Sequence, residues 1–132
     1  MHCRKLYLDA PTRTQDLLTM KWTLRGKGCM IVSTWHEDHR AGLASFDGHW
    51  GLDRLKELEP ADVLVVLAGQ PSENLSLAAL AGIAVGRGIK VIWIGQAVEA
   101  LSGSVQQFAT PADFYRHDLE RALAVPSKMQ AA

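Results

Sequence analysis

Three stretches of the sequence carry residue types able to do chemistry. In the first, His36-Glu37-Asp38-His39 sets two histidines at i and i+3, with His49 ten positions on, a pattern zinc can use. No cysteine pair and no H-E-x-x-H helix accompanies them, so no metal site is expected. Read instead as a solvated or substrate-covering loop, the cluster brings titration near neutral pH. The second stretch, Gly69-Gln70-Pro71-Ser72-Glu73-Asn74, leaves an apolar run and enters a helical one, with Ser72 placed as N-cap. Free backbone N–H groups and the positive end of a helix dipole there suit a phosphate or another anion. The third is Tyr7-Leu8-Asp9-Ala10-Pro11. Ordinary turn and capping chemistry uses the same residue types in the second and third stretches. Neither a Walker A sequence nor G-x-G-x-x-G occurs, so no triphosphate or dinucleotide fold is expected and no cofactor is assigned.

The elements that position these residues alternate in kind. Short β-rich apolar runs occur at Lys5 to Leu8, Cys29 to Val32, Val63 to Leu67 and Val91 to Ile94, with a weaker fifth at Val105 to Ala109. Stretches of helical length lie between and after them, at 12–26, 50–58, 73–87 and 111–124. Val63 to Leu67 is apolar without alternation, as a strand buried on both faces should be. Strands alternating with helices imply βαβ units and a parallel sheet. Five strands lead to a flavodoxin-like (Rossmann-like) three-layer α/β sandwich of order 2-1-3-4-5. Ligands of such sheets bind beyond the carboxyl ends of the strands where the order reverses, here between the first and third. The second and third chemical stretches are delivered to that crevice. Punctuation agrees: Gly26 and Gly28, then Gly86 and Gly88, precede strands as helix ends do, and Thr110-Pro111 reads as an N-cap with proline at the first helical position.

Size and charge bound the function. The 132 residues suffice for one domain, assigned to 1–125 with a tail at 126–132. Fourteen basic residues balance fourteen acidic ones, which removes the simple electrostatic case for nucleic acid or an anionic membrane. No apolar stretch approaches the roughly 20 residues of a membrane helix, and no leader-like apolar segment opens the chain. Two cysteines, Cys3 and Cys29, make no disulfide scaffold. A cytoplasmic protein is expected.

Three motifs in order carry a family resemblance. Lys5-Leu6-Tyr7-Leu8-Asp9-Ala10-Pro11 resembles the first strand of the nucleoside 2-deoxyribosyltransferase-like proteins, which typically reads Y-L-A-x-P. Ala61-Asp62 followed by Val63 to Leu67 resembles their third strand. Leu80-Ala81-Gly82-Ile83-Ala84, then Gly88-Ile89-Lys90-Val91, resembles their E-x-G-x-A helix and G-K-x-V strand entry. The resemblance covers about residues 4–95. It implies a flavodoxin-like fold, a nucleoside or nucleotide ligand, and N-glycosidic chemistry in which a helix glutamate attacks the anomeric carbon. The matching glutamate position here is Leu80, and the matching aspartate position six residues earlier is Asn74. A leucine cannot be a nucleophile.

The resemblance also frames the remaining candidates for substrate binding: Tyr7, Asp9, Ala10, Trp35, Gly69, Ser72 and Asn74. Tyr7 matches a tyrosine that orients sugar and carboxylate, or it is an amphipathic core residue. Asp9 either meets a ribose hydroxyl or caps the helix starting near Thr12. Trp35 is placed to stack on a base, whereas Trp22, Trp50 and Trp93 read as core. Glu73 lies about two helical turns before Leu80, too far to replace its carboxylate without rearrangement, and as a helix-N-terminal acid it is favoured by the dipole.

The helix at 73–87 has almost no polar face, so it should be buried all round, against another subunit or under the last helix of its own domain. Three functions follow. The chain is a nucleoside- or nucleotide-binding protein without the usual nucleophile, a working N-glycosidase or transferase using Asp9 or Glu73, or a non-catalytic homo-oligomeric interaction module.

Overall fold

The computed structural model describes residues 4–11, 14–37, 54–96, 99–101, 103–116 and 119–124. Five strands form one sheet: β1 (Lys5–Asp9), β2 (Met30–Ile31), β3 (Val63–Leu67), β4 (Lys90–Ile94) and β5 (Gln106–Phe108). Every pairing is parallel and the order is β2-β1-β3-β4-β5. Leu6 stands opposite Val63, Asp9 opposite Val66, and Leu67 opposite Ile94. This is the flavodoxin-like topology that the strand and helix pattern predicts, with its reversal between β1 and β3. All five β3 residues are buried, which accounts for a run with no polar alternation.

The helices are α1 (Gln15–Gly26), α2 (54–58), α3 (Leu75–Gly86), α4 (Pro111–Arg116) and α5 (Leu119–Ala122). The step from β1 to β2 runs opposite in direction to those from β2 to β3 and β3 to β4. Right-handed crossovers therefore set α1 on one face of the sheet and α2 and α3 on the other. Tyr115 of α4 hydrogen-bonds Thr23 of α1, so α4 shares the α1 face. Thr14 caps α1 by accepting the Leu17 N–H at 3.2 Å, and Thr110 caps α4 by accepting that of Asp113 at 3.2 Å. Residues 50–53, where α2 was expected to begin, and the tail 126–132 lie outside the described residues.

Of the segment expected as one helix at 111–124, Pro111–Arg116 and Leu119–Ala122 are helical, and residues 117–118 between them lie outside the described residues. Three expectations change. The second strand shrinks from four residues to two because side chains take over its ladder. Ser33 Oγ accepts the Leu8 N–H at 3.0 Å, and the Trp35 indole N–H donates to the Leu8 carbonyl at 2.8 Å. Trp22 is not core: it is 65% exposed, with Lys21 and Arg25 each within 6 Å of its ring centroid. Its partners are cations, which hold the ring at the surface. Finally, α3 is buried on one face only. Leu77, Leu80, Ala81 and Ala84 face inward, while Leu75 (83% exposed) and Ile83 (38%) face out with Ala79 and Gly82. The helix α4 packs on β5 and, through Tyr115, on α1.

At the carboxyl end of β4 the chain makes a turn only glycine tolerates. Gly95 has φ +124°, and a Cβ there would come within 2.9 Å of the Ala68 Cβ. Gly95→Ala is expected to lower stability by about 1–3 kcal/mol, the usual range for such backbone strain, as read by urea unfolding.

Candidate functional site

Two adjoining structures occupy the carboxyl edge of the sheet. The first is a buried polar network on β1. Tyr7 and Asp9, two residues apart, point to the same face, toward α2. Arg54, at the start of α2, forms an ion pair with Asp9 Oδ1 and donates from Nε to the Tyr7 hydroxyl at 3.3 Å. Its guanidinium also lies 5.0 Å from the Trp35 ring centroid. Three residues on, Glu57 accepts the Thr34 N–H at 3.0 Å and the Thr34 hydroxyl, clamping α2 to the segment after β2. Asp9 is fully buried, and its Oδ2 has no hydrogen-bond partner among the described residues. Burial pushes the Asp9 carboxyl up from 3.8 to about 7, against the opposing pull of Arg54 and the Ala10 N–H. Burial likewise raises the Tyr7 phenol, leaving it a neutral hydrogen-bonding group.

The second structure is a cleft of about 270 Å³ on the other side of the same loops. Its walls come from the ends of four strands: Ala10 and Pro11 after β1, Leu67 to Gly69 from β3, Ile94 and Gly95 from β4, and Ala109 to Pro111 after β5. Thr14 and Asp16 of α1 and Glu73 before α3 complete it. Small residues make the room. A Cβ on Gly69 would sit 2.7 Å from Pro11 Cγ and 2.8 Å from Glu73 Oε1.

Local capping shapes the β3–α3 edge differently from expectation. Pro71–Glu73 form a 3₁₀ turn before α3, so Ser72 lies exposed inside that turn and is not the N-cap. Glu73 Oε1 accepts the Gln70 N–H at 2.9 Å. The buried Asn74 amide closes the loop, accepting from Gly69 N–H at 2.9 Å and donating to Gly69 O at 3.2 Å. The Gly69 and Gln70 amides are thus held by the protein's own side chains, while Asn74 makes no side-chain cap bond to α3.

The candidate residues divide accordingly. Ala10 and Gly69 line the cleft. Tyr7, Asp9 and Trp35 are buried in the network behind it, and Asn74 pins the loop. Asp9 does not cap α1, which uses Thr14. His36, expected in a solvated loop, is fully buried, its Nε2 3.1 Å from Ser33 Oγ and its ring edge-on to Trp35. Ser33 and Trp35, bonded to the Leu8 backbone, hold it against the sheet. His39, His49 and Trp50 lie outside the described residues, among which no group of three His, Cys, Asp or Glu could hold a metal ion. Leu80 is buried and is not part of the cleft wall. Sequence reasoning missed Arg54, Glu57 and Asp16. One signal pointed to the first: an aspartate in a strand destined for burial demands a cation. Spacing does not single out Arg54 from fourteen basic residues.

No family model and no curated protein matches the sequence. Among solved structures the chain is similar to a 2-deoxyribosyltransferase from the psychrotolerant bacterium Bacillus psychrosaccharolyticus. The TM-score is 0.67 at 18% identity, over 92% of this chain and 96% of that one. The chain therefore has the fold of a 2-deoxyribosyltransferase. No helix among the described residues is long and apolar enough to cross a membrane.

The network makes two predictions. Arg54→Met strands a buried carboxyl and should cost about 3–5 kcal/mol of stability. Because the unfolded chain releases the Asp9 proton near pH 4 and the folded chain near 7, the native state binds more protons between them. Asp9 therefore contributes stability that is present at low pH and is lost as pH rises through about 7. Urea midpoints compared at pH 5 and pH 8 read this slope. Asp9→Asn should flatten it; an unchanged slope would assign it to another group.

Proposed function

We propose that the protein binds a nucleoside or nucleotide in the cleft and lacks the glycosidic nucleophile of the scaffold it resembles. The observation that carries this is the two-sided lining of the cleft. Pro11, Leu67, Ile94 and Pro111 offer apolar surface to a base, while Thr14, Asp16, Glu73 and Thr110 offer acceptors and donors to sugar hydroxyls. At about 270 Å³ it lies just below the roughly 300–1,000 Å³ of small-molecule sites, a size for one nucleoside and not for a dinucleotide. Support also comes from the solved relative, a 2-deoxyribosyltransferase described as a biocatalyst for the synthesis of nucleosides. In this reading Ala10 and Gly69 touch the ligand and Asn74 holds the Gly69 loop. Ser72 lies on the turn at the rim. Tyr7, Asp9 and Trp35, tied by Arg54, fix the β1 wall from behind.

Leu80 supplies no carboxylate. Of the two substitutes, Asp9 is buried against Arg54, and Glu73 already accepts a backbone N–H. Turnover through either is the competing reading, and it requires one of them to leave its partner.

The exposed apolar face of α3 belongs, in the same proposal, to a second copy of the chain. Leu75 and Ile83 project from it, while Ala79, Gly82 and Gly86 between them let two helices approach closely. Leu75→Glu with Ile83→Lys should convert the assembly to monomer in sedimentation velocity, with the fold kept by circular dichroism. A parent chain already monomeric at micromolar concentration removes this interface.

The ligand test is a thermal-shift and calorimetric panel of deoxynucleosides, ribonucleosides and their monophosphates. At least one should raise the melting temperature and bind stoichiometrically. Free base should be released far below the roughly 1 s⁻¹ at the low end of enzyme rates. Absence of binding throughout sinks the proposal and leaves an interaction module. Turnover at enzymatic rates would make Asp9 or Glu73 the nucleophile instead.

A further inference from the structure

Asp9 is left half satisfied by its surroundings. Its Oδ1 is shared by Arg54 and by the Ala10 N–H, which donates to it at 3.1 Å. Its Oδ2 is buried and has no hydrogen-bond partner among the described residues. As a hydroxyl that oxygen lacks an acceptor, and as a carboxylate oxygen it lacks a donor. The second state is the more costly, because a bare buried charge forfeits more hydration than a bare hydroxyl. Ionisation is therefore the step that the closed geometry resists, and water at Oδ2 would relieve it.

The described titratable and charged groups around this carboxyl come from three elements. Tyr7 shares its strand, Arg54 and Glu57 belong to α2, and His36 lies against Trp35 after β2. From β3 the residue opposite is the apolar Val66. Burial outweighs the attraction of Arg54, so the Asp9 proton is held up to about 7.

Water has its easiest route to Oδ2 through α2. Of the residues at 54–58 one side chain, Leu58, is fully buried, whereas α3 sets Leu77, Leu80, Ala81 and Ala84 inward. The ties of α2 to its neighbours are largely polar: Arg54 to Asp9 and Tyr7, and Glu57 to Thr34. A segment with few buried apolar contacts opens locally, at less than the cost of unfolding the domain.

We propose that Asp9 is a proton-operated closure for the α2 side of the sheet. With the proton in place, α2 stays seated on β1. Loss of the proton hydrates the carboxylate and lets α2 lift with Arg54, while β3 and β4 keep their packing. The device needs no ligand and so stands apart from the nucleoside reading. Ala10, which lines the cleft, is bonded to the same carboxyl, so the opening reaches the cleft from behind.

Native-state hydrogen exchange of the full chain, followed by NMR and corrected for the pH dependence of intrinsic exchange, measures the opening. The reporters are the Ala61 N–H, on Leu58 O at 2.9 Å, and the Thr34 N–H, on Glu57 at 3.0 Å. Buried Ile92 and Trp93 of β4 serve as the reference for global unfolding. From pH 6 to pH 8 the reporters' protection should fall about tenfold, the factor for a carboxyl that titrates at about 7 when closed and at its ordinary 3.8 when hydrated. They should exchange faster than Ile92 and Trp93 throughout, which marks the opening as local. The Asp9 carboxyl carbon, titrated in the same samples, should share the midpoint. Asp9→Asn should leave protection flat with pH, and Glu57→Gln, which keeps an acceptor for the Thr34 N–H, should retain the fall. If Asp9→Asn does not fold, the two titrations of the parent protein decide. Protection that does not change with pH overturns the inference, as does a fall that persists in Asp9→Asn or departs from the midpoint of the Asp9 carbon. Reporters that exchange only together with Ile92 and Trp93 overturn it too, since α2 would then open only with the whole fold.

Discussion

Asp9 closes a strand that is wholly buried from Leu6 onward, and its carboxyl lies beyond the reach of solvent. A group of that kind needs a counter-charge and hydrogen bonds, or it must stay protonated. Arg54 provides the counter-charge from 45 positions further along the chain, and much of the local architecture follows from bringing it there. The helix that carries it is held by Glu57 on Thr34, three residues along the same α2 face. Trp35 lies beside the guanidinium with its indole bonded to Leu8, and Tyr7 accepts the guanidinium's remaining reach. Two elements, α2 and the segment after β2, are thus tied to β1 around one ion pair. The cleft wall made by Ala10 and Pro11 begins one residue beyond it, so its position inherits that rigidity.

On the other side of the loops the same economy of polar groups sets the character of the cleft. Close approach of Pro11 to Gly69, and of Gly95 to Ala68, brings strand ends together that larger residues would hold apart. The 3₁₀ turn before α3 then consumes its own amides through Glu73 and Asn74. A phosphate site at a helix N-terminus works because donors are left open. Here the Gly69 and Gln70 amides of the loop are closed, and the carboxylate that closes one of them belongs to a residue lining the cleft.

The strand order and the reversal between β1 and β3 were legible because buried parallel strands write themselves as unbroken apolar runs. Val63 to Leu67 is the plainest case. Ala10 and Gly69 were also legible, since topology alone delivers strand ends to the crevice. What could not be read were features decided by tertiary partners. Trp22 and Trp93 have the same side chain. One stays outside because Lys21 and Arg25 flank it; the other is buried, its indole N–H reaching Gln96 O. His36 looked like a loop residue because its neighbours are polar, yet Ser33 gives its ring a hydrogen-bond partner in the core. Ser72 looked like a cap, but Pro71 starts a tighter turn one step earlier, and Glu73 and Asn74 bond the Gln70 and Gly69 amides of the preceding loop. The second strand came out shorter than expected for a similar reason. Strand propensity at Val32 was real, but Ser33 and Trp35 satisfied the Leu8 backbone before a third ladder pair could form.

A shared scaffold and a shared reaction are separate matters. Likeness to a 2-deoxyribosyltransferase extends over nearly the whole chain, because strand order and crossover handedness tolerate wide change in side chains. Chemistry tolerates far less. Leu80 stands on the inner face of α3, in a row with Leu77, Ala81 and Ala84, where each side chain contributes to packing on β3 and β4. A carboxylate there would need a partner in that apolar row, and the row contains none. Three carboxylates at the sheet edge sit elsewhere: Asp9 inside an ion pair, Glu73 on a turn amide, Asp16 on a helix end. All three are already engaged in holding structure or charge at the sheet edge.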